Sequence, residues 1–75
     1  MVNIASLLKT KRKEAGLKIK TVVEELETYG IKLSEKTIYG YENGDRQPNA
    51  DLFLVFCRIY GINSFSDIEE DTLLD

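Results

Sequence analysis

The 75-residue sequence predicts an all-α protein, a small bundle of four to five helices. Apolar residues recur with helical spacing in successive segments, and no segment shows the sustained alternation that is typical of a strand. A glycine follows each of the first four segments, at a place where helices commonly end. A chain of this length has material for one small core, so one helical domain is expected. The expected helices span residues 3–15, 18–29, 34–43, 49–60 and, in a short last element, 64–70.

The first helix combines an apolar stripe with a cation on the same side. Asn3 can cap its start, and Ile4 and Leu8 lie four residues apart on one face. Arg12 continues that line, so its side chain is expected to point along the apolar side of the helix. Because an unpaired buried charge is strongly destabilising, the sequence predicts a carboxylate partner for Arg12.

The second and fourth helices are expected to supply much of the core. The second is apolar on one side, and Ile31 and Leu33 follow it as anchors for a wide connection to the third helix. The fourth, with Asn49 as its cap, is apolar around most of its circumference, which favours a central place in the bundle. Its cysteine, Cys57, is expected to be a small buried hydrophobic residue rather than a reactive thiol.

The third helix contains a glycine at its centre. Ser34 and Gly44 suit its two ends, but Gly40 between them destabilises a helix by about 1 kcal/mol relative to alanine. A bare backbone permits the close approach of something large, such as the base edges of a DNA major groove; otherwise Gly40 is a surface position that weakens the helix a little. A helical wheel places Gly40 on the exposed side, together with Glu35, Lys36, Tyr39 and Asn43.

The charges are unevenly distributed along the chain. Its net charge is −3, but residues 1–48 hold nine basic and seven acidic residues, a net charge of +2. Residues 49–75 hold one basic and six acidic residues, a net charge of −5. The first part, and the segment KTKRK at 9–13 in particular, can face phosphates or form a solvated face.

The chain is accordingly divided into a helical domain, residues 1–62, and an acidic C-terminal extension, residues 63–75. The apolar residues of the extension pack back on the domain or face a partner subunit. As candidate dimer contacts they are Phe65, Ile68, Leu73 and Leu74.

Composition argues against several classes of function. The chain has no histidine, one cysteine, no nucleophile–base pair and no phosphate-binding glycine loop. We therefore expect no enzyme, no bound metal and no cofactor. The longest apolar run, at residues 52–57, is too short to span a bilayer, and the first residues lack a signal-peptide pattern, so a cytoplasmic protein without membrane contact is expected.

Three segments, in this order, resemble one known family. They are LLKTKRKEAGL at 7–17, TIYGYENGDRQP at 37–48 and ADLFLVFCRIYGI at 50–62, and the pattern YENG…P is the most specific part. Together they resemble the lambda-repressor-like, or Cro-type, helix-turn-helix DNA-binding domains, also called the xenobiotic response element family. The resemblance covers residues 3 to about 62. It implies that the second and third helices form a helix-turn-helix that binds double-stranded DNA.

The resemblance also implies roles for individual residues. Arg12 and Glu42 match an arginine and a glutamate that form an ion pair behind the recognition helix of such domains. The positions that read base edges in the family are here Glu35, Lys36, Tyr39 and Gly40. Contacts to the DNA backbone are implied for Thr37, Asn43, Arg46 and Gln47. The second helix departs from the family pattern at its phosphate-binding position, where Lys18 or Lys20 is expected to make the contact instead.

The leading hypothesis is a sequence-specific, double-stranded DNA-binding transcriptional regulator. It would act as a dimeric repressor of the phage, mobile-element or antitoxin kind, with two copies of the third helix in successive major grooves. Its half-sites would then lie about 10–10.5 base pairs apart, or a multiple of that distance. The alternative is a module of the same fold that binds another protein and does not read DNA, which the acidic overall charge favours.

Overall fold

The computed structural model describes residues 3–62, which form four α-helices and no strand. The helices are α1 (Ile4–Glu14), α2 (Ile19–Thr28), α3 (Glu35–Asn43) and α4 (Ala50–Tyr60). The all-α prediction is confirmed for this range, and the bounds of the four helices agree with the expected ones to within a residue. The fifth expected helix and the candidate dimer contacts, all within residues 63–75, lie outside the described residues. No helix within residues 3–62 has both the length and the apolar character needed to cross a membrane.

Side-chain caps fix the start of three helices. Asn3, Ser34 and Asn49 each accept a hydrogen bond from the backbone N–H three residues further on, at 3.1, 3.2 and 2.8 Å. Each bond satisfies an amide group that the start of a helix leaves without an intrahelical partner. Gly44 follows α3 with a φ of 87°, a left-handed conformation that residues with a side chain rarely adopt. The chain reverses there and returns to α3.

The core lies where the four helices meet, and α1 and α3 make the most extensive pairing. Burial of a large apolar side chain stabilises a fold by about 1.5–3 kcal/mol, so a few such residues account for most of the driving force here. The large side chains with less than 2% exposure are Leu7, Leu8, Val22, Leu26, Ile38 and Phe56.

The connection between α2 and α3, residues 29–34, is anchored as expected. Ile31 and Leu33 are half-buried and pack against the core. The Ile31 N–H donates to the carbonyl oxygen of Leu26 at 3.0 Å, which closes the end of α2. The start of α3 is therefore held by apolar contacts as well as by its cap.

The position of α4 differs from the expectation of a central helix. Only Phe56 and Tyr60 of this helix are buried, and Leu54 is 64% exposed. An apolar circumference does not require burial on every side, because apolar atoms make up much of any folded surface. Cys57 is half-buried, and desolvation raises the pKa of its thiol above the ordinary value of 9.0, which disfavours a reactive thiolate.

Three aromatic rings pack at the inner side of α4. The Phe56 ring packs edge-on against the Tyr41 ring, with 6.0 Å between the ring centroids, and stacks on the Tyr60 ring, with 5.7 Å between the centroids. The Tyr60 hydroxyl is buried and has no hydrogen-bond partner within residues 3–62. Desolvation raises the pKa of Tyr60 well above its ordinary value of 10.0; the Glu42 carboxylate adds to this rise and the Arg12 guanidinium opposes it.

Replacement of this tyrosine should stabilise the protein. Tyr60→Phe removes a buried hydroxyl that has no partner among the described residues and keeps the stacked ring, so we expect the free energy of unfolding at pH 7 to rise by about 1 kcal/mol. The matched control is Tyr41→Phe, which alters the other ring against Phe56 and should change stability by less than about 0.5 kcal/mol. Urea unfolding followed by circular dichroism measures both values. A lower stability for Tyr60→Phe would show that the hydroxyl has a partner.

The raised pKa of the Tyr60 hydroxyl predicts a loss of stability at alkaline pH. Above about pH 10 the unfolded chain ionises Tyr60 while the folded chain keeps it neutral, so unfolding becomes more favourable as pH rises. Urea titrations between about pH 8 and 11 should show a steeper decline for the wild type than for Tyr60→Phe. An equal decline in the stability of the two proteins would contradict a raised pKa for Tyr60.

Candidate nucleic-acid interface

A buried ion pair joins α1 to α3. Arg12 Nε donates to Glu42 Oε2 at 2.7 Å, and a terminal guanidinium nitrogen donates to Oε1 at 3.0 Å, which makes the pair bidentate. The other terminal nitrogen donates to the carbonyl oxygen of Leu17 at 2.9 Å. Only 11% of the Arg12 side chain and 4% of the Glu42 side chain are exposed. The carboxylate that the sequence requires for Arg12 is therefore that of Glu42, as the resemblance implies.

The pair keeps Arg12 charged in a largely enclosed position. Its hydrogen bond to Glu42 raises the pKa of Arg12, and desolvation opposes this effect. A buried pair adds little stability compared with well-packed apolar residues, but loss of one partner is strongly destabilising. The main structural effect is orientation: Glu42 lies on the inner side of α3, so the pair fixes the rotation of α3 about its own axis.

The side of α3 opposite to Ile38 and Glu42 carries most of the predicted contact residues. Tyr39 is 51% exposed. Thr37 is half-buried, and its hydroxyl lies 3.0 Å from the Ser34 hydroxyl within the helix cap. The exposed residues on this side are Glu35, Lys36, Tyr39 and Asn43.

Two of these residues are available to a ligand. The side chains of Glu35 and Lys36 make no hydrogen bond or ion pair with any other part of residues 3–62. Glu35 lies in the first turn of α3, where its carboxylate interacts favourably with the positive end of the helix dipole. The exposed side of α3 therefore offers an anion, a cation and an aromatic hydroxyl, at positions 35, 36 and 39.

Gly40 is buried, so the prediction that it lies exposed on α3 is wrong. The side chain of Arg46 lies across it, and a Cβ at position 40 would come within 3.3 Å of Arg46 Cδ and 3.5 Å of Cγ. The Arg46 N–H also donates to the Gly40 carbonyl oxygen at 3.1 Å. The close approach that this glycine permits is thus made by an arginine of the same chain, which covers much of Gly40.

Two grooves flank Tyr39. One lies between α1 and α3 and has a volume of about 270 Å³. The other follows α3 and the loop after it and has a volume of about 430 Å³. The first groove is lined by Lys9, Arg12, Lys13, Tyr39, Glu42 and Asn43. The second is lined by Lys36, Thr37, Tyr39, Gly40, Asn43, Asp45 and Arg46.

The grooves bring cations from two parts of the chain to the exposed side of α3. Lys9 and Lys13 are exposed one turn apart on α1, and both line the groove beside Tyr39. The sequence left the lysines of KTKRK open between phosphate contacts and a solvated face. The four-residue spacing of Lys9 and Lys13 is the signal that could have placed these two on one side of α1. Lys36 and Arg46 line the groove on the other side of Tyr39.

The remaining predicted residues are less closely grouped. Asn43 Oδ1 accepts a hydrogen bond from the Asp45 N–H at 3.1 Å and so shapes the loop in which Gln47 is exposed. Lys18 and Lys20 are exposed at the start of α2, and neither lines either groove. Among residues 3–62, no group of three or more potential metal ligands is close enough to hold an ion.

Comparisons of the chain with protein-family models, with curated proteins and with solved structures found no significant match.

Loss of charge at Glu42 should destabilise the fold. Glu42→Gln keeps the size of the side chain but leaves the Arg12 guanidinium buried without a counter-charge, so we expect the free energy of unfolding to fall by about 3 kcal/mol. The matched control is Glu14→Gln in the Lys11–Glu14 pair, whose glutamate is 57% exposed, with an expected loss below about 0.5 kcal/mol. Urea unfolding at pH 7 measures both.

Removal of both charges tests whether the loss of stability comes from the missing pair or from the single charge that Glu42→Gln leaves buried. Arg12→Met combined with Glu42→Leu leaves no uncompensated charge, so the double variant should be more stable than Glu42→Gln alone. Equal losses for Glu42→Gln and Glu14→Gln would contradict the importance of the buried pair.

Proposed function

We propose that this protein is a sequence-specific, double-stranded DNA-binding transcriptional regulator that inserts α3 into the major groove. The observation that carries the proposal is the exposed side of α3, where Lys36 and Tyr39 lie between cations of α1 and the loop cation Arg46. An α-helix of ordinary width fits the major groove of B-DNA. The ion pair on the inner side keeps this surface turned outward.

The side chains on this surface suit base recognition. Lys36 can donate to the O6 and N7 atoms of guanine, and Glu35 can accept from N4 of cytosine. The Tyr39 hydroxyl can donate or accept a hydrogen bond, and its ring can contact a thymine methyl group. Each good base contact provides about 1–3 kcal/mol of discrimination.

Contacts to phosphates and sugars would set the register of α3 without reading sequence. Lys9 and Lys13 flank the groove beside Tyr39 and can neutralise phosphates on one side. The other backbone contacts belong to the proposal on the strength of the family resemblance. They are Thr37, Asn43, Gln47 and, from α2, Lys18 and Lys20.

The resemblance of three segments to the lambda-repressor-like helix-turn-helix domains supports the proposal independently of the surface. The ion pair between Arg12 and Glu42 joins two of those segments, as that resemblance implies. The proposed mechanism is occlusion: a dimer covers two half-sites about 10–10.5 base pairs apart and blocks polymerase. A single small domain buries limited surface on DNA, so dimerisation would supply much of the affinity.

The alternative is a protein-interaction module of the same architecture. The exposed Leu54 on α4 and the acidic net charge of −3 favour it. Selection from a randomised duplex library, at low and at near-physiological salt, separates the two functions. Enrichment of an inverted repeat supports the dimeric DNA reader. Failure to enrich any sequence, with binding lost as salt rises, leaves only phosphate attraction and favours the alternative.

Charge reversal on α3 gives the corresponding prediction. Lys36→Glu should abolish enrichment, with a loss of roughly tenfold or more in affinity for the selected duplex, because it removes a donor to the base edges and adds a charge that repels phosphates.

The matched control is Lys32→Glu, which makes the same charge change at an exposed position of the α2–α3 connection. It should retain the selected sequence, and the melting temperatures of both variants should stay close to that of the wild type. Equal effects of the two substitutions on binding would show that only overall charge matters and would contradict base recognition by α3.

A further inference from the structure

We infer that Arg46 is a base-reading residue that Gly40 positions on the exposed side of α3, an inference that rests on the proposed DNA-binding function. The resemblance assigns Arg46 to the DNA backbone and Gly40 to direct base contact. The geometry points to different roles for both residues. Gly40 is a positioning residue, and Arg46 supplies the contact.

The stem of Arg46 lies close against the place that a side chain at position 40 would take. Its Cδ, Cγ and Nε atoms lie 3.3, 3.5 and 3.7 Å from the position of a Cβ built on Gly40. The Arg46 backbone is also fixed, because its N–H donates to the Gly40 carbonyl oxygen at 3.1 Å. A loop residue is thereby held against the middle of a helix at both its backbone and its side chain.

This attachment explains why a glycine stands inside a nine-residue helix. Glycine destabilises a helix interior relative to alanine, so its presence at position 40 needs a compensating contact. Any side chain there would displace the Arg46 stem by some tenths of an ångström or more. The helix therefore loses some stability at position 40, and the Arg46 side chain gains a defined position.

The place of Arg46 favours bases over phosphates. Position 40 lies in the central part of α3, and the groove that holds the Arg46 side chain is lined also by Lys36 and Tyr39, the residues proposed to read bases. A guanidinium carries a planar fork of donors that matches the O6 and N7 atoms of guanine, which is the commonest specific contact in the major groove. An arginine already held in place also loses less conformational freedom on binding than one that is free to rotate.

The test is a double-mutant cycle with Gly40→Ala, Arg46→Ala and the combination of both. Each protein is used for selection from the randomised duplex library, and affinities are then measured on the wild-type selected duplex and on duplexes changed at one base pair at a time. Arg46→Lys serves as the conservative variant, because it keeps the charge but lacks the planar fork. Urea unfolding of the wild type and the three variants of the cycle measures the coupling between Gly40 and Arg46 in the absence of DNA.

Arg46→Ala should lose preference at one position, expected to be a guanine, with roughly a tenfold loss of affinity on the selected duplex and little loss on the duplex changed there. Arg46→Lys, which keeps the charge but not the planar fork, should restore only part of this preference. Gly40→Ala should reproduce the loss while Arg46 is present and have little further effect in the Arg46→Ala background. In the unfolding experiment, Gly40→Ala should raise the free energy of unfolding more in the Arg46→Ala background than in the wild-type background, because no arginine stem is displaced there.

Three results would overturn the inference. Uniform weakening on every duplex, with a salt dependence reduced by about one counterion, would make Arg46 a phosphate contact. An equal loss from Gly40→Ala with and without Arg46 would mean that the bare backbone itself is required. If the wild-type protein selects no sequence, the proposed function fails and the base-reading role fails with it, while the unfolding cycle still reports whether Gly40 and Arg46 are coupled.

Discussion

The buried pair between Arg12 and Glu42 is the constraint on which the rest of the structure depends. It is bidentate, nearly enclosed, and joins the two helices that share the most extensive interface. An apolar interface alone tolerates small rotations of a short helix, whereas two directional hydrogen bonds to one carboxylate do not. With Glu42 held inward, the exposed residues on the opposite side of α3 have a fixed direction. The buried ion pair thus determines which residues of α3 form the surface proposed to read DNA.

Much of this arrangement could be predicted from local pattern. The caps at Asn3, Ser34 and Asn49 bind as their residue types indicate, and the helix bounds follow from them. The position of Arg12 on the apolar line required a carboxylate, because a buried charge has few acceptable environments. Its identity as Glu42 came from the family resemblance, since the spacing within α1 carries no information about a partner 30 residues away.

Other features could not be read from the sequence, for physical reasons. A helical wheel treats α3 as an isolated cylinder, so it cannot show that the loop after Gly44 returns and covers Gly40 with Arg46. It is equally silent about the neighbours of α4, whose apolar circumference suggested a central position although Leu54 is 64% exposed. In both cases the missing information is tertiary: which surface a helix shows to solvent depends on what the chain places against it.

The Gly40–Arg46 contact has a consequence for how such a surface can change over time. The side chains of Glu35 and Lys36 make no hydrogen bond to the rest of the described chain, so substitutions there can alter the exposed side of α3 while leaving the fold intact. Position 40 has no such independence, because a new side chain there moves an arginine that belongs to another segment. Divergent copies of this domain would therefore be free to change the surface at the start of α3 one residue at a time. At its centre they would have to exchange two residues together.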